Sequence, residues 1–275
     1  MTVGRALAQT SERLAKAGCD TPRVDAEILV AHVTHVARSE LALEGSRALA
    51  PEDEESLERL VTRREAREPL AYVVGEWGFR RLVLGVDARV LVPRPETEIV
   101  VERCLARIAA LAAPRVLDVG TGSGAIALAI ADEHSGAMVT GIDTSEGALE
   151  VAGANMLRTG LAIELHQWDL FAGLPGGPWD LVVSNPPYVL PEEIATLQPE
   201  VRDWEPREAL VGVGTTEAVA RGAVEVLRPG GALVLEVASG DSGRVATLLR
   251  ELQYERVSAT RDLAGRDRVV EATRP

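Results

Sequence analysis

The chain has 275 residues, of which 46% are hydrophobic and 26% are charged, and its formal net charge is −13. This composition is typical of a globular protein, and the length allows one large domain or two smaller ones. The acidic balance argues against nucleic acid as a partner, and the scattered cysteines and histidines argue against a metal site. The lack of a leader or a long apolar run argues against a membrane protein. We therefore expect a cytoplasmic protein.

The first 70 residues show apolar side chains at helical spacing. This spacing predicts helices over residues 2–17, from Pro22 onward and from Pro51 onward, with one or two short helices between Ser39 and Leu49. A proline at the first helical position is favourable because its missing N–H would be unpaired there in any case. Residues 1–70 are therefore predicted to form a small helical bundle.

The pattern changes after Pro69. Residues 71–92 are rich in β-branched side chains and are interrupted by glycines, which predicts a β-hairpin. Pro93-Arg94-Pro95 then makes a stiff entry to a helix over residues 96–112. We interpret residues 71–95 as a joint between two domains.

Predicted strands and helices alternate from residue 114 onward. Such alternation predicts a mostly parallel sheet covered by helices on both faces, a Rossmann-like α/β domain over residues 96–275. The last two strands have no long helix between them and are expected to pair antiparallel. The strands are predicted at 115–119, 138–142, 162–167, 180–184, 231–237, 254–259 and 267–272, and the intervening helices at 123–133, 145–158, 215–227 and 241–251.

A glycine-rich turn follows the first of these strands. Glycines alternate with Thr121 and Ser123 over residues 120–124, and a helix follows. Glycine lets the backbone approach a ligand closely, and the helix N-terminus favours polar or anionic groups. The spacing is neither that of the dinucleotide fingerprint nor that of a P-loop, which needs a lysine. The turn therefore predicts a nucleoside-type ligand, with a tight structural turn as the alternative.

Polar residues also follow the next three strands. Asp143 can accept hydrogen bonds from both hydroxyls of a ribose, and Asp169 beside Leu170 can bind the amino group and ring of an adenine. Asn185 is followed by two prolines and Tyr188, so its amide is held rigidly just beyond a strand end. Carboxyl ends of parallel strands meet at one edge of a sheet, so these groups are expected to form one site.

Together these motifs resemble class I S-adenosylmethionine-dependent methyltransferases that act on a planar nitrogen. Further segments resemble the release factor glutamine N5-methyltransferases over nearly the whole chain, and the Pro-Arg-Pro-Glu-Thr-Glu segment at residues 93–98 is the most specific of them. Departures from that family's pattern occur at residues 211–216, at residues 236–241 and at Leu170. The segments of resemblance are residues 71–75, 90–98, 184–188, 205–210 and 228–231.

The resemblance implies methyl transfer from S-adenosylmethionine to the glutamine side-chain nitrogen in the Gly-Gly-Gln loop of bacterial peptide chain release factors, with residues 1–70 recognising the substrate protein. Asn185 and the Pro186 carbonyl can accept the two N–H bonds of that amide, and Tyr188 can pack against it. The alternatives are methylation of a nucleic-acid base or a small molecule by the same fold, or a nucleoside-binding module without activity. The predicted acceptor residues are Asn185, Pro186, Pro187 and Tyr188, and the predicted cofactor-binding residues are Gly120, Thr121, Gly122, Ser123, Gly124, Asp143, Asp169, Leu170 and Asn185.

Overall fold

The computed structural model describes residues 1–275, and the chain divides into two compact units. The first unit comprises Met1–Glu76 together with Leu197–Trp204, and the second comprises Trp77–Thr196 and Glu205–Pro275. The helices are α1 (Val3–Lys16), α2 (Pro22–Thr34), α3 (Pro51–Glu65), α4 (Leu70–Val74), α5 (Thr97–Ile108), α6 (Ala125–Glu133), α7 (Glu146–Thr159), α8 (Pro199–Arg202), α9 (Arg207–Leu210), α10 (Thr215–Val226) and α11 (Ser242–Glu251). The strands are β1 (Glu76–Phe79), β2 (Leu82–Gly85), β3 (Arg115–Val119), β4 (Met138–Asp143), β5 (Glu164–Gln167), β6 (Trp179–Ser184), β7 (Leu227–Glu236), β8 (Glu255–Arg261) and β9 (Asp267–Thr273).

Helices α1 to α4 and α8 build the first unit. Buried apolar side chains such as Leu14, Leu29 and Val61 come from one face of each long helix and share a single core. Pro22 and Pro51 occupy the first helical positions of α2 and α3, as the sequence predicts. No helix of the structure combines the length and the apolar content needed to cross a membrane.

Buried ion pairs attach α8 to the first unit. The Arg64 side chain is 6% exposed, and it donates to Asp25 Oδ2 at 2.8 Å and to Glu200 Oε1 at 2.8 Å. Arg67 donates to both oxygens of Glu200 at 2.6 Å. A buried guanidinium is costly unless it is paired, and these two carboxylates provide the pairing.

One sequence prediction in this region is wrong. Residues 70–74 form helix α4 and not the first strand of the hairpin. The β-branched residues are overridden because Val73 packs into the helical core and the Arg63 guanidinium donates to the Tyr72 and Val73 carbonyls at 3.0 and 3.1 Å, which satisfies the helix end. Of the one or two short helices predicted between Ser39 and Leu49, the structure contains one, the short 3₁₀ helix Arg38–Glu40, and turns follow it.

The second unit contains a seven-stranded sheet in the order β5-β4-β3-β6-β7-β9-β8. All neighbours pair in parallel except β9, which is antiparallel to both β7 and β8. Two apolar cores lie on the two faces: in β6, Leu181 and Val183 belong to one core and Val182 belongs to the other. This is the sheet that the alternating strands and helices predict, with the expected antiparallel pair at its end.

The strand order creates a crevice at the carboxyl ends of β3 and β6. The chain proceeds outward from β3 through β4 to β5 and then returns to the other side of β3 as β6. In register, Val119 at the end of β3 lies opposite both Ile142 of β4 and Ser184 of β6. The residues that follow these strands are thus brought level at the point where open α/β sheets bind ligands.

An asparagine on α7 attaches the end of strand β2 to the rest of the second unit. The side-chain amide of Asn155 on α7 accepts from Gly85 N at 2.6 Å and donates to Gly85 O at 3.0 Å and Ser123 O at 2.9 Å. Asn155 is 1% exposed, so these bonds satisfy an amide that would otherwise be costly to bury. One side chain therefore fixes the hairpin and the glycine-rich turn together.

Candidate active site

A cavity of about 470 Å³ lies at the carboxyl ends of β3, β4 and β6 in the second unit. Its volume falls in the range typical of small-molecule sites. The structure brings ten of the twelve predicted site residues to its wall, whereas Gly124 and Tyr188 do not line it. The ten are Gly120, Thr121, Gly122, Ser123, Asp143, Asp169, Leu170, Asn185, Pro186 and Pro187.

The glycine-rich turn leaves one side of the cavity open to a ligand. Gly120 and Gly122 have positive φ angles of 74° and 55°, which only glycine adopts without strain. A Cβ added at either residue would meet no protein atom within 4 Å, and both residues line the cavity. Side chains here would occupy the space next to the backbone, so the turn is shaped for close approach of a ligand.

Gly124 has a different role from its two neighbours. It also has a positive φ of 80°, but a Cβ there would lie 3.2 Å from Leu128 Cδ1 and 3.3 Å from Ala152 Cβ. The residue therefore allows α6 to begin close against α7. It shapes the turn and does not itself line the cavity.

Asp118 stabilises the turn from behind. It is fully buried, its Oδ2 accepts from Thr121 Oγ1 at 2.7 Å, and its Oδ1 has no hydrogen-bond partner. Burial raises the pKa of Asp118 to about 7, against the opposing effect of the Thr121 hydrogen bond. The Gly120 and Thr121 N–H groups both bind Ile142 O, at 2.9 and 3.0 Å, which holds the turn over the end of β4.

Two aspartates line the cavity beside this turn. Asp143 Oδ2 accepts from Gly122 N at 2.9 Å, and Asp143 Oδ1 accepts from Ser145 N at 3.0 Å. Asp169 Oδ1 accepts from Phe171 N at 2.9 Å and so begins the short 3₁₀ helix that follows β5. A carboxylate oxygen has two lone pairs, so each aspartate is held by the backbone and can still accept from a ligand.

Asn185 enters the cavity from the end of β6. The preceding Ser184 is buried and its hydroxyl donates to Val119 O at 2.7 Å, which fixes the strand ends to each other. Asn185 Nδ2 donates to Thr97 Oγ1 at 3.4 Å, and Thr97 Oγ1 donates to Glu236 Oε2 at 2.7 Å. Asn185 Oδ1 accepts no hydrogen bond from the protein and is available to a ligand.

Tyr188 lies outside the cavity wall, in the electrostatic field of several charged groups. Burial raises its pKa to about 12, with a further contribution from the nearby Glu236 carboxylate and opposing contributions from Arg268 and Arg94. Its hydroxyl therefore stays protonated at neutral pH and is not a proton acceptor for chemistry in the cavity.

The structure also brings in residues that the site prediction did not include. Arg94 donates to both oxygens of buried Glu205 at 2.7 and 2.5 Å, which joins the Pro-Arg-Pro joint to the Glu-Pro-Arg segment. A Cβ at Gly212 would lie 2.4 Å from Pro187 Cγ, so this glycine packs directly against the acceptor motif. Arg94 and Glu205 lie in segments that carry the family resemblance, and that resemblance was the only sequence signal for them. Gly212 lies in residues 211–216, where the chain departs from that family's pattern, so no sequence signal pointed to it.

The wall as a whole fits S-adenosylmethionine. The open glycines offer room for its amino-acid end, Asp143 presents acceptor oxygens for a ribose, and Asp169 with Leu170 offers an acceptor and an apolar surface for an adenine. Carboxylate acceptors and an apolar side chain beside an open, glycine-lined space are expected for a site that binds a nucleoside carrying a charged tail.

Comparisons with known proteins agree with this geometry. Residues 5–75 match the PrmC N-terminal domain, and residues 97–198 match the methyltransferase small domain. The release factor glutamine methyltransferase of Cereibacter sphaeroides is 41% identical over 100% of this chain and 99% of its own length. The chain belongs to the release factor glutamine methyltransferase family. Relatives of the same name from Deinococcus radiodurans and Caulobacter vibrioides are 40% and 38% identical over 98% of this chain and 97% and 96% of their own lengths.

A solved structure confirms the fold of this family member. It is a T. thermophilus 16S rRNA N2 methyltransferase in complex with AdoMet and guanosine, which matches with a TM-score of 0.54 and 18% identity. The match covers 73% of this chain and 50% of that one. The fold predicted from sequence, a class I methyltransferase domain preceded by a helical region, is thus confirmed.

Proposed function

We propose that this protein transfers a methyl group from S-adenosylmethionine to the side-chain amide nitrogen, N5, of the glutamine in the Gly-Gly-Gln loop of a bacterial peptide chain release factor. One observation carries the proposal. A free Asn185 Oδ1, held at the end of β6, lines the same cavity as the glycine-rich turn and Asp143, in a chain related over its whole length to enzymes of that name.

The residues around the glycine-rich turn would hold S-adenosylmethionine. Gly120, Thr121, Gly122 and Ser123 bind its amino-acid end, Asp143 binds the ribose, and Asp169 with Leu170 binds the adenine, while Gly124 shapes the turn. When bound, this molecule supplies a methyl group activated by a sulfonium.

The acceptor motif supplies orientation. An amide nitrogen is a weak nucleophile because its lone pair is delocalised, so catalysis depends on position and electrostatics. Asn185 Oδ1 and the Pro186 carbonyl accept the two N–H bonds of the glutamine amide, which aims the nitrogen along the cavity. Two prolines fix the backbone here, and Gly212 lets the following segment press against Pro187. Tyr188 supports the motif as a neutral side chain.

The test uses isotope-labelled S-adenosylmethionine and purified release factor. We expect label on the wild-type release factor and none on a variant whose Gly-Gly-Gln glutamine is changed to alanine. Asn185→Ala should abolish labelling while S-adenosylmethionine binding, measured by calorimetry, stays within about threefold of wild type. Label that persists on the glutamine variant, or wild-type turnover by Asn185→Ala, would reject the proposal.

The proposal includes a role for the helical unit, residues 1–76 with 197–204, in recognising the protein substrate in the cytoplasm, where release factors act. The match of residues 5–75 to a domain characteristic of this family supports that role. We expect a peptide that contains only the Gly-Gly-Gln loop to be methylated with a KM at least about tenfold higher than that of the intact release factor. Equal KM values would contradict recognition beyond the loop.

A further inference from the structure

Beneath Asn185 lies a short hydrogen-bonded chain that the proposed chemistry does not use. It runs from Asn185 at the end of β6 to Thr97 at the start of α5 and to Glu236 at the end of β7. Thr97 and Glu236 are 4% and 1% exposed, so neither is a surface group. Thr97 reaches the cavity wall, whereas Glu236 lies behind it.

The direction of these hydrogen bonds decides what Asn185 presents to the cavity. The Thr97 hydroxyl has one proton, and it donates that proton to Glu236 Oε2 at 2.7 Å. The Thr97 oxygen can then only accept from Asn185, so the NH₂ group of the amide faces Thr97 and Oδ1 is left free. The Asn185–Thr97 distance of 3.4 Å is at the long end of the range for a hydrogen bond.

We propose that Thr97 and Glu236 are positioning residues that hold the Asn185 amide with its oxygen toward the acceptor glutamine. This inference rests on the proposed function, because it concerns the orientation of the same acceptor motif. If the amide turned over, its NH₂ group would face the glutamine NH₂ group, and two donors cannot bond to each other.

The ionisation state of Glu236 controls the direction. A carboxylate can only accept, which forces the arrangement described above. A protonated Glu236 can donate to Thr97, which frees the Thr97 proton to bind Asn185 Oδ1 and turns the amide. Burial raises the pKa of Glu236 to about 7, so both states are accessible near neutral pH.

Charged groups around Glu236 do not neutralise it. Arg94 is bonded to Glu205, and Arg268 lies near Asp262 and Glu96, at 3.2 and 3.8 Å. Both arginines lower the pKa of Glu236 from a distance, Glu96 raises it, and burial is the largest cause. Tyr188 also lies in this field and stays neutral. Turnover at saturating S-adenosylmethionine should therefore rise with pH through about 7.

The first test separates orientation from binding. Thr97→Val keeps the shape of the side chain and removes the hydroxyl, and we expect kcat to fall roughly tenfold to a hundredfold, with the Kd for S-adenosylmethionine within about threefold of wild type. Thr97→Ser restores the hydroxyl and should recover most of kcat. Thr140→Val is a matched control, because the Thr140 hydroxyl also contacts a glutamate, Glu164, at 3.5 Å, but away from Asn185; its kcat should equal that of wild type.

The second test uses the pH dependence. Glu236→Gln cannot ionise, so the rise of kcat between about pH 6 and pH 8 should be absent in this variant. Asp118 also has a pKa of about 7 but lies behind the glycine-rich turn, so its ionisation should affect the KM for S-adenosylmethionine and not kcat at saturation. A wild-type rise retained in Glu236→Gln, or a wild-type kcat in Thr97→Val, would overturn the inference.

Failure of the inference can be told apart from failure of the proposed function. Wild-type enzyme is first shown to label the release factor glutamine, which tests the function alone. If Thr97→Val does not fold, as judged by circular dichroism, the pH profile of Glu236→Gln decides the question by itself.

Discussion

Asp143 gives the sharpest test of how this protein would bind its methyl donor. The carboxylate accepts one backbone N–H on each oxygen, from Gly122 at 2.9 Å and from Ser145 at 3.0 Å. Each oxygen keeps one lone pair for a ribose hydroxyl. If Asp143 binds the ribose as proposed, Asp143→Ala removes both ribose contacts, and it also frees the glycine-rich turn from its bond to Gly122 N.

The expected loss can be worked out from these bonds. A hydrogen bond to a charged group contributes about 1.5–3 kcal/mol, and the lower value applies because Asp143 is only half-buried. Two ribose bonds then correspond to about 3 kcal/mol, which is roughly a hundredfold in Kd. Isothermal titration calorimetry with S-adenosylmethionine and S-adenosylhomocysteine measures this directly.

An analogue without the two ribose hydroxyls separates ribose binding from an effect on the turn. If Asp143 binds the hydroxyls, wild type should discriminate against the analogue roughly a hundredfold, and Asp143→Ala should hardly discriminate at all. Asp169→Ala is the control: it lines the same cavity and should weaken binding without changing that discrimination. An equal discrimination by wild type and Asp143→Ala would refute the assignment.

Two further predictions concern the acceptor side and its support. Gly212→Ala places a Cβ 2.4 Å from Pro187 Cγ, so the acceptor motif must shift. We expect kcat, measured by single-turnover kinetics, to fall at least about tenfold while the affinity for S-adenosylmethionine is unchanged. An unchanged kcat would contradict this prediction. Glu236→Gln should be more stable than wild type at high pH. The pKa of Glu236 rises from 4.5 to about 7 on folding. Wild type therefore loses up to about 3 kcal/mol of unfolding free energy as the pH increases from about 4.5 through about 7. Urea denaturation of both proteins at about pH 5 and pH 8 measures the difference in unfolding free energy between them. A difference that is the same at both pH values would contradict the prediction.

Local patterns determined the elements and most of the site. Alternating strands and helices, with polar residues after four strands, predicted a parallel sheet and a shared edge because periodicity and strand ends are properties of short segments. The observed β3 spans residues 115–119 as predicted, and the cavity wall contains Gly120, Asp143 and Asn185. Resemblance in further segments pointed to the family.

The tertiary structure alone decided which groups meet across long stretches of chain. Nothing local relates Thr97 to Glu236 or Gly212 to Pro187, and only packing turns Gly124 away from the cavity while its neighbours face it. Helix α4 forms where β-branched residues predicted a strand, because Arg63 on α3 donates to its last carbonyls and Val73 packs into a core formed with α1 and α2. Such contacts depend on side chains far apart in sequence, and periodicity carries no information about them.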